Sequence, residues 1–117
     1  MEHLLQQREK LIKKLVSNSK AILSNQIGLP LGVAKMGTII TWIENTERLS
    51  NINLQIFFEY NKLTANYFIG TDRLMCNKDF LIKQDKGLDK ITMNYKDKLI
   101  SKCFEIIGLF EVKRIVR

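Results

Sequence analysis

The sequence predicts an all-α fold, a small helical bundle of three main helices with shorter helices between them. Two stretches, residues 3–24 and 78–110, repeat apolar residues at steps of three and four, the period of a helix that buries one face. A third stretch, residues 30–47, shows the same spacing and begins at the chain's only proline, Pro30. A length of 117 residues suits about one domain, so we expect residues 1–117 to form a single helical domain.

The first predicted helix, residues 3–24, carries one apolar stripe. Its members are Leu4, Leu5, Leu11, Ile12, Leu15, Val16, Ile22 and Leu23. Arg8 and Lys10 lie off this stripe, on the predicted solvent side. Asn25 and Gly28 are predicted to end the helix, since both tolerate the left-handed backbone with which helices often end.

The second predicted helix, residues 30–47, begins well because a first helical turn tolerates the missing N–H of Pro30. Its apolar positions are Val33, Met36, Ile40 and Ile43. Gly32 and Gly37 weaken a helix by about 1 kcal/mol each relative to alanine, and close approach of another helix would explain them. Residues 38–43 are rich in β-formers, so a strand is the alternative there.

The segment 48–77 permits two interpretations. Residues 54–60 and 67–70 are apolar and aromatic, and as two strands they would form a short β-hairpin around 54–69. We favour a short helix followed by an irregular segment, although periodicity does not separate the two for runs this short.

The third main helix, residues 78–110, has the most regular pattern. Its apolar positions are Leu81, Leu88, Ile91, Tyr95, Leu99, Cys103, Ile106, Ile107 and Phe110. Asn77 is a good N-cap, and Asp79 in the first turn faces the positive helix end. Gly87 is a point where the helix could divide in two. The tail 112–117 fits a helix extension, an edge strand or a frayed end.

The net charge of +7 is concentrated at the two ends of the chain. It is +3 in residues 1–20, zero in 21–77 and +4 in 78–117. Such a protein can meet nucleic acid, a membrane surface or an acidic protein. No apolar run reaches the roughly 20 residues of a membrane span, and the N-terminus lacks a signal-peptide pattern. We therefore expect a cytoplasmic protein with no membrane partner.

The residues that usually carry chemistry are sparse. Cys76 and Cys103 are far apart in the sequence and are interpreted as small buried hydrophobic residues, not as metal ligands or a disulfide. His3 is the only histidine and lies near the N-terminus. Two pairs of acids, Glu44 with Glu47 and Asp85 with Asp89, fit solvated helix faces. We predict no catalytic, cofactor-binding or metal-binding residues, and hence a non-enzymatic protein.

Protein recognition is the favoured role, because segment 48–77 combines aromatic and charged residues, and such side chains often anchor interfaces. The predicted partner-binding residues are Glu59, Tyr60, Lys62, Tyr67, Asp72 and Arg73. Phe57 and Phe68 are predicted to lie in the core. The alternative is a nucleic-acid-binding or regulatory protein that uses the basic terminal helices. A helix-turn-helix over 21–43 fits poorly, since Lys35 alone would face bases.

Three local patterns together resemble a known group of proteins. They are Ala21-Ile22-Leu23-x3-Ile27-Gly28-Leu29-x2-Gly32, then Gly70-x2-Arg73 after the aromatic segment, then Lys83-x-Asp85. The group is a family of small bacterial helical proteins of unknown function. Some of its members look like immunity proteins of contact-dependent growth inhibition or other polymorphic toxin systems. The resemblance implies an all-α fold, no catalytic residues and a cognate protein toxin as the partner.

Overall fold

The computed structural model describes residues 2–111 and contains four α-helices and one 3-10 helix in this range. They are α1 (Glu2–Leu23), α2 (Leu29–Glu44), α3 (Gln55–Leu63), the 3-10 helix Thr71–Met75 and α4 (Lys78–Phe110). No strand occurs within residues 2–111, so the all-α prediction is confirmed. The alternatives of a hairpin around 54–69 and a strand over 38–43 are wrong. The three interpretations of residues 112–117 lie outside the described range.

The four helices form a closed ring around one core. The main contacts join α1 to α2, α2 to α3, α3 to α4 and α4 back to α1. The fully buried side chains are Leu15, Ser19, Val33, Met36, Ile40, Ile43, Phe57, Tyr60, Leu99, Cys103 and Ile106. Every helix contributes to this set, including the short α3. No helix within the described residues is long and apolar enough to cross a membrane.

The connection between α1 and α2 takes only five residues, and its backbone explains the sharp reversal. Asn25 adopts the left-handed conformation with φ 62°, as predicted for a helix terminator. The N–H of Gln26 closes the end of α1 on the carbonyl of Ala21 at 2.9 Å. Gly28 has φ −62° and is the N-cap of α2, so its predicted left-handed role is wrong.

The two glycines within α2 mark the places where its neighbours come closest. A Cβ on Gly32 would lie 2.5 Å from Cγ1 of Ile22 in α1. A Cβ on Gly37 would lie 2.7 Å from Nδ2 of Asn61 in α3. Real Cβ atoms do not tolerate such distances, so both glycines permit packing that alanine would obstruct. The expectation of close approach by another helix is confirmed, with one glycine for each neighbour.

Two asparagines fasten α2 at these same contacts. Asn18 of α1 donates its amide to the carbonyl of Gly32 at 2.9 Å. Asn61 of α3 donates to the carbonyl of Val33 at 3.0 Å. Each carbonyl has a second lone pair available for a side-chain donor. The start of α2 is therefore fixed from both sides by polar as well as apolar contacts.

Arg8 of α1 closes the other end of α2. Its Nη1 donates to the carbonyls of Ile43 (3.0 Å) and Glu47 (2.8 Å) and to Oγ1 of Thr46 (2.9 Å). The last carbonyls of a helix lack partners within the helix and carry partial negative charge, so a guanidinium is favourable there. Because Arg8 meets the end of α2 while Asn18 meets its start, α1 and α2 run antiparallel.

Helix α4 is unbroken over 33 residues. The side chain of Asn77 accepts from the N–H of Phe80 at 2.9 Å, which confirms the predicted N-cap. Gly87 does not divide the helix. It leaves room for the hydroxyl of Tyr67, which would lie 2.8 Å from a Cβ at this position.

The two cysteines occupy different environments. Cys103 is fully buried among core residues, as predicted, and burial raises the pKa of its thiol to about 11. Cys76 is only partly buried at the end of the 3-10 helix, so its predicted burial is wrong. Both thiols are free.

Replacing Gly32 by alanine tests the closeness of α1 and α2. Gly32→Ala should lower the free energy of unfolding by about 1–2 kcal/mol in urea denaturation, because overpacking against Ile22 outweighs the gain in helix propensity. Gly108→Ala is the matched control, since a Cβ there meets nothing within 4 Å. It should raise stability by about 0.5–1 kcal/mol. A Gly32→Ala protein as stable as the wild type would contradict this packing.

The thiol environments predict selective labelling. At pH 8 a maleimide should modify Cys76 in the folded protein and leave Cys103 untouched, because Cys103 is buried and its pKa of about 11 keeps it protonated. Mass spectrometry of tryptic peptides measures both sites. Unfolding in urea should make both react, and equal rates in the native state would contradict the structure.

Candidate functional site

The predicted partner-binding residues fall into three environments. Glu59 and Lys62 are exposed on α3, whereas Tyr60 of the same helix is buried. Tyr67, Asp72 and Arg73 lie in the segment 64–77, which joins α3 to α4. Three of the six predicted residues therefore lie in one segment, and Tyr60 is not at the surface.

Tyr60 is part of the core, so its prediction as a partner-binding residue is corrected. Its side chain is fully buried and its ring meets the edge of Tyr95, with centroids 6.0 Å apart. Its hydroxyl shares a hydrogen bond of 2.7 Å with Oγ1 of Thr92. Burial raises the pKa of Tyr60, and the hydrogen bond to Thr92 partly offsets this. The hydrogen bond of the hydroxyl thus positions the ring of Tyr60 against α4.

Arg73 is paired with Asp85 of α4 at the surface of the molecule. The guanidinium and carboxylate form two parallel hydrogen bonds, Nη1–Oδ1 at 2.8 Å and Nη2–Oδ2 at 2.9 Å. This bidentate geometry is the strongest arrangement for such a pair. The hydrogen bonds from Arg73, with a further one from Gln84, lower the pKa of Asp85 to about 2. Arg73 therefore serves mainly to attach segment 64–77 to α4.

Gln84 makes a second attachment. Its Oε1 accepts from the backbone N–H of Phe68 at 2.8 Å, and its Nε2 donates to the carbonyl of Phe68 at 2.8 Å. The side-chain amide thus pairs with a backbone residue as a neighbouring strand would. Arg73 adds a longer bond of 3.3 Å to the same carbonyl. Together with the contact of Tyr67 on Gly87, these bonds hold the segment in one conformation.

The segment fixed in this way presents apolar side chains to solvent. Leu74 is 85% exposed and Met75 is 89% exposed, the largest values among the exposed large hydrophobic residues of the described chain. Phe68, in the same segment, meets Phe80 of the first turn of α4 edge to face, with centroids 5.7 Å apart, and both rings are partly exposed. We call these four residues the apolar tip. Exposed apolar clusters of this kind mark interaction sites.

The sequence did not identify most of the tip. Phe68 was predicted to lie in the core but is exposed, and no role was predicted for Leu74, Met75 or Phe80. The sequence signal for Leu74 and Met75 is the N-cap at Asn77, because α4 begins after it and both residues therefore lie outside the helix.

Asp72, Lys78 and Asp79, which are close to the tip residues in the sequence, are also exposed. Among residues 2–111, no three His, Cys, Asp or Glu side chains lie close enough together to hold a metal ion.

Comparison of the chain with known protein families, with curated proteins and with solved structures gives no match. The resemblance to small bacterial immunity-like proteins therefore stays a prediction.

The Arg73–Asp85 pair predicts a pH dependence. Asp85 should titrate at about pH 2 by carboxyl NMR, and Arg73→Ala should move it toward the ordinary aspartate value of about 3.9. Since the folded pKa is depressed, the stabilisation is present above about pH 4 and is lost as pH falls through about 2. At pH 7 the variant should lose about 1 kcal/mol, a modest value because both groups are partly exposed.

The control for this experiment is Lys102→Ala, which removes a surface pair with Glu105 on one helix. It should leave both the titration of Asp85 and the stability nearly unchanged. An Asp85 carboxyl that titrates near pH 4 in the wild type would contradict the ion pair.

Proposed function

We propose that this protein acts by binding another protein, as a cytoplasmic immunity protein that binds and neutralises a cognate bacterial toxin. The observation that carries the proposal is the apolar tip, whose most exposed side chains stand on a backbone fixed by Arg73, Gln84 and Asp85. The resemblance of the turn around Ile27-Gly28 and of Gly70-x2-Arg73 to immunity-like proteins supports the same role.

The fixed backbone matters because association costs conformational entropy. A mobile loop would lose freedom on binding, and this loss would reduce affinity. In the tip, the order is already present in the free protein, since the ion pair and the amide pair hold segment 64–77 on α4. A stable interface buries about 1,600 Å² in total, and a few central side chains dominate its energy. Leu74 and Met75 are placed to be such residues.

The charge of the chain favours a partner with an acidic surface. The net charge is +7, and exposed lysines lie on both α1 and α4. Complementary potential speeds association and selects partners more than it adds affinity. An acidic region of the toxin that meets these lysines, beside an apolar region that meets the tip, fits this combination.

The nucleic-acid alternative depends on the basic terminal helices α1 and α4, and the lysines of α4 form its longest row. Lys83, Lys86 and Lys90 lie one turn apart on its exposed side, with Asp79 and Asp89 among them. The acids reduce the potential that a phosphate backbone would meet. Affinity for DNA or RNA that was tight in low salt and fell steeply between 50 and 200 mM would favour this alternative over the toxin.

Coexpression tests the proposed role. The toxic domain encoded beside this gene should stop growth alone, and this protein should restore growth and copurify with it. Leu74→Asp with Met75→Asp should weaken the complex at least about 30-fold, the effect of losing a hot spot worth 2 kcal/mol, and abolish rescue. Titration calorimetry measures the affinity.

The matched control is Met93→Asp with Phe104→Asp, two exposed apolar residues of α4 away from the tip. These changes introduce the same charge and should leave rescue intact. A neighbouring gene whose product is harmless, or full rescue by the tip variant, would count against the proposal. Urea denaturation of both variants separates loss of binding from loss of folding.

A further inference from the structure

Trp42 is the only tryptophan in the chain, and half of its surface is exposed. It lies on the outward side of α2, near the end of the helix. A large aromatic side chain in this position is a common anchor at interfaces. Two grooves meet at Trp42, one on each side of the indole, and they differ in character.

The first groove lies between α2, α3 and residues 64–69 and has a volume of about 510 Å³. All of the described residues that line it are without a formal charge at neutral pH. Its α2 side is made of small residues at helical spacing, namely Ala34, Gly37, Thr38 and Thr41. Phe58 and Tyr67 form the facing wall. Gly37 at the base of the groove is buried against Asn61 of α3, whereas Thr38 and Thr41 are exposed to a partner. The aromatic wall favours apolar side chains.

The second groove lies between α1 and α2 and has a volume of about 460 Å³. Its charged lining residues within the described range are all cations, namely Arg8, Lys10 and Lys14. Arg8 is engaged by the end of α2. Lys10 and Lys14 are exposed, and the ion pairs found within residues 2–111 involve other side chains. They stand four residues apart on α1, a rise of about 6 Å along the helix.

We infer that the face around Trp42 is a docking surface for an acidic amphipathic helix of a protein partner. Apolar side chains of that helix enter the uncharged groove, and its carboxylates meet Lys10 and Lys14 on the other side of the indole. Acidic residues four apart on the partner match the spacing of the two lysines. This recognition follows the helix-in-groove mode, with charge fixing the orientation.

The same observations disfavour two other occupants. A second copy of this chain would bring a protein of net charge +7 onto a cationic face, so like charges oppose it. A nucleic acid would find cations in the second groove alone and an uncharged apolar groove beside it. The inference is independent of the proposed immunity role, since it concerns Trp42 and α1 and not the apolar tip.

A synthetic helix tests this surface directly. The probe is a 20-residue peptide with leucine on one face, glutamate on the other and no tryptophan, so emission reports Trp42 alone. We expect a saturable shift of emission to shorter wavelength. Lys10→Glu with Lys14→Glu should weaken binding at least tenfold, whereas Lys83→Glu with Lys90→Glu, the same charge change on α4, should weaken it less than threefold.

A second variant probes the uncharged groove. Thr38→Glu places a carboxylate at an exposed position of α2 within it and should also weaken binding at least tenfold. Equal weakening by the α1 and α4 variants would overturn the inference, because net charge alone would then explain binding. No change in emission would overturn it too. So would tighter binding of a 20-nucleotide single-stranded DNA that depends on Lys10 and Lys14.

Discussion

The close contact of α2 with both of its neighbours determines the arrangement of this bundle. Gly32 allows Ile22 of α1 to reach the backbone of α2, and Gly37 does the same for Asn61 of α3. Hydrogen bonds from Asn18 and Asn61 to two successive carbonyls then fix the register. With α1 and α3 positioned, α4 has one place to pack, against α1 on one side and α3 on the other.

The same arrangement leaves segment 64–77 outside the ring, where it depends on α4 for its conformation. Polar side chains of α4 hold this segment in place, whereas apolar packing holds the helices of the ring together. Asp85 holds Arg73, and Gln84 holds the backbone of Phe68. In the same segment, the leucine and methionine of the 3-10 helix are exposed to solvent. Segment 64–77 thus combines polar contacts to α4 with apolar side chains exposed to solvent.

Local signals in the sequence predicted the elements well. Apolar spacing located the three long helices, and Asn77 and Asn25 marked a start and an end through their own backbone preferences. The site was predicted less accurately, because the burial and orientation of its residues depend on contacts between distant parts of the chain. Tyr60 packs against Tyr95 and Thr92 of α4, and Arg73 is held by Asp85 of the same helix. The local sequence around Tyr60 and Arg73 does not indicate that Thr92 and Asp85 lie against them.

Hydrogen exchange of the complex with the neighbouring toxin would locate the interface without any substitution. We expect the amides of residues 68–80 to exchange more slowly in the complex than in the free protein, because Leu74 and Met75 become covered. Unchanged exchange across residues 68–80, with protection confined to other surfaces, would contradict it.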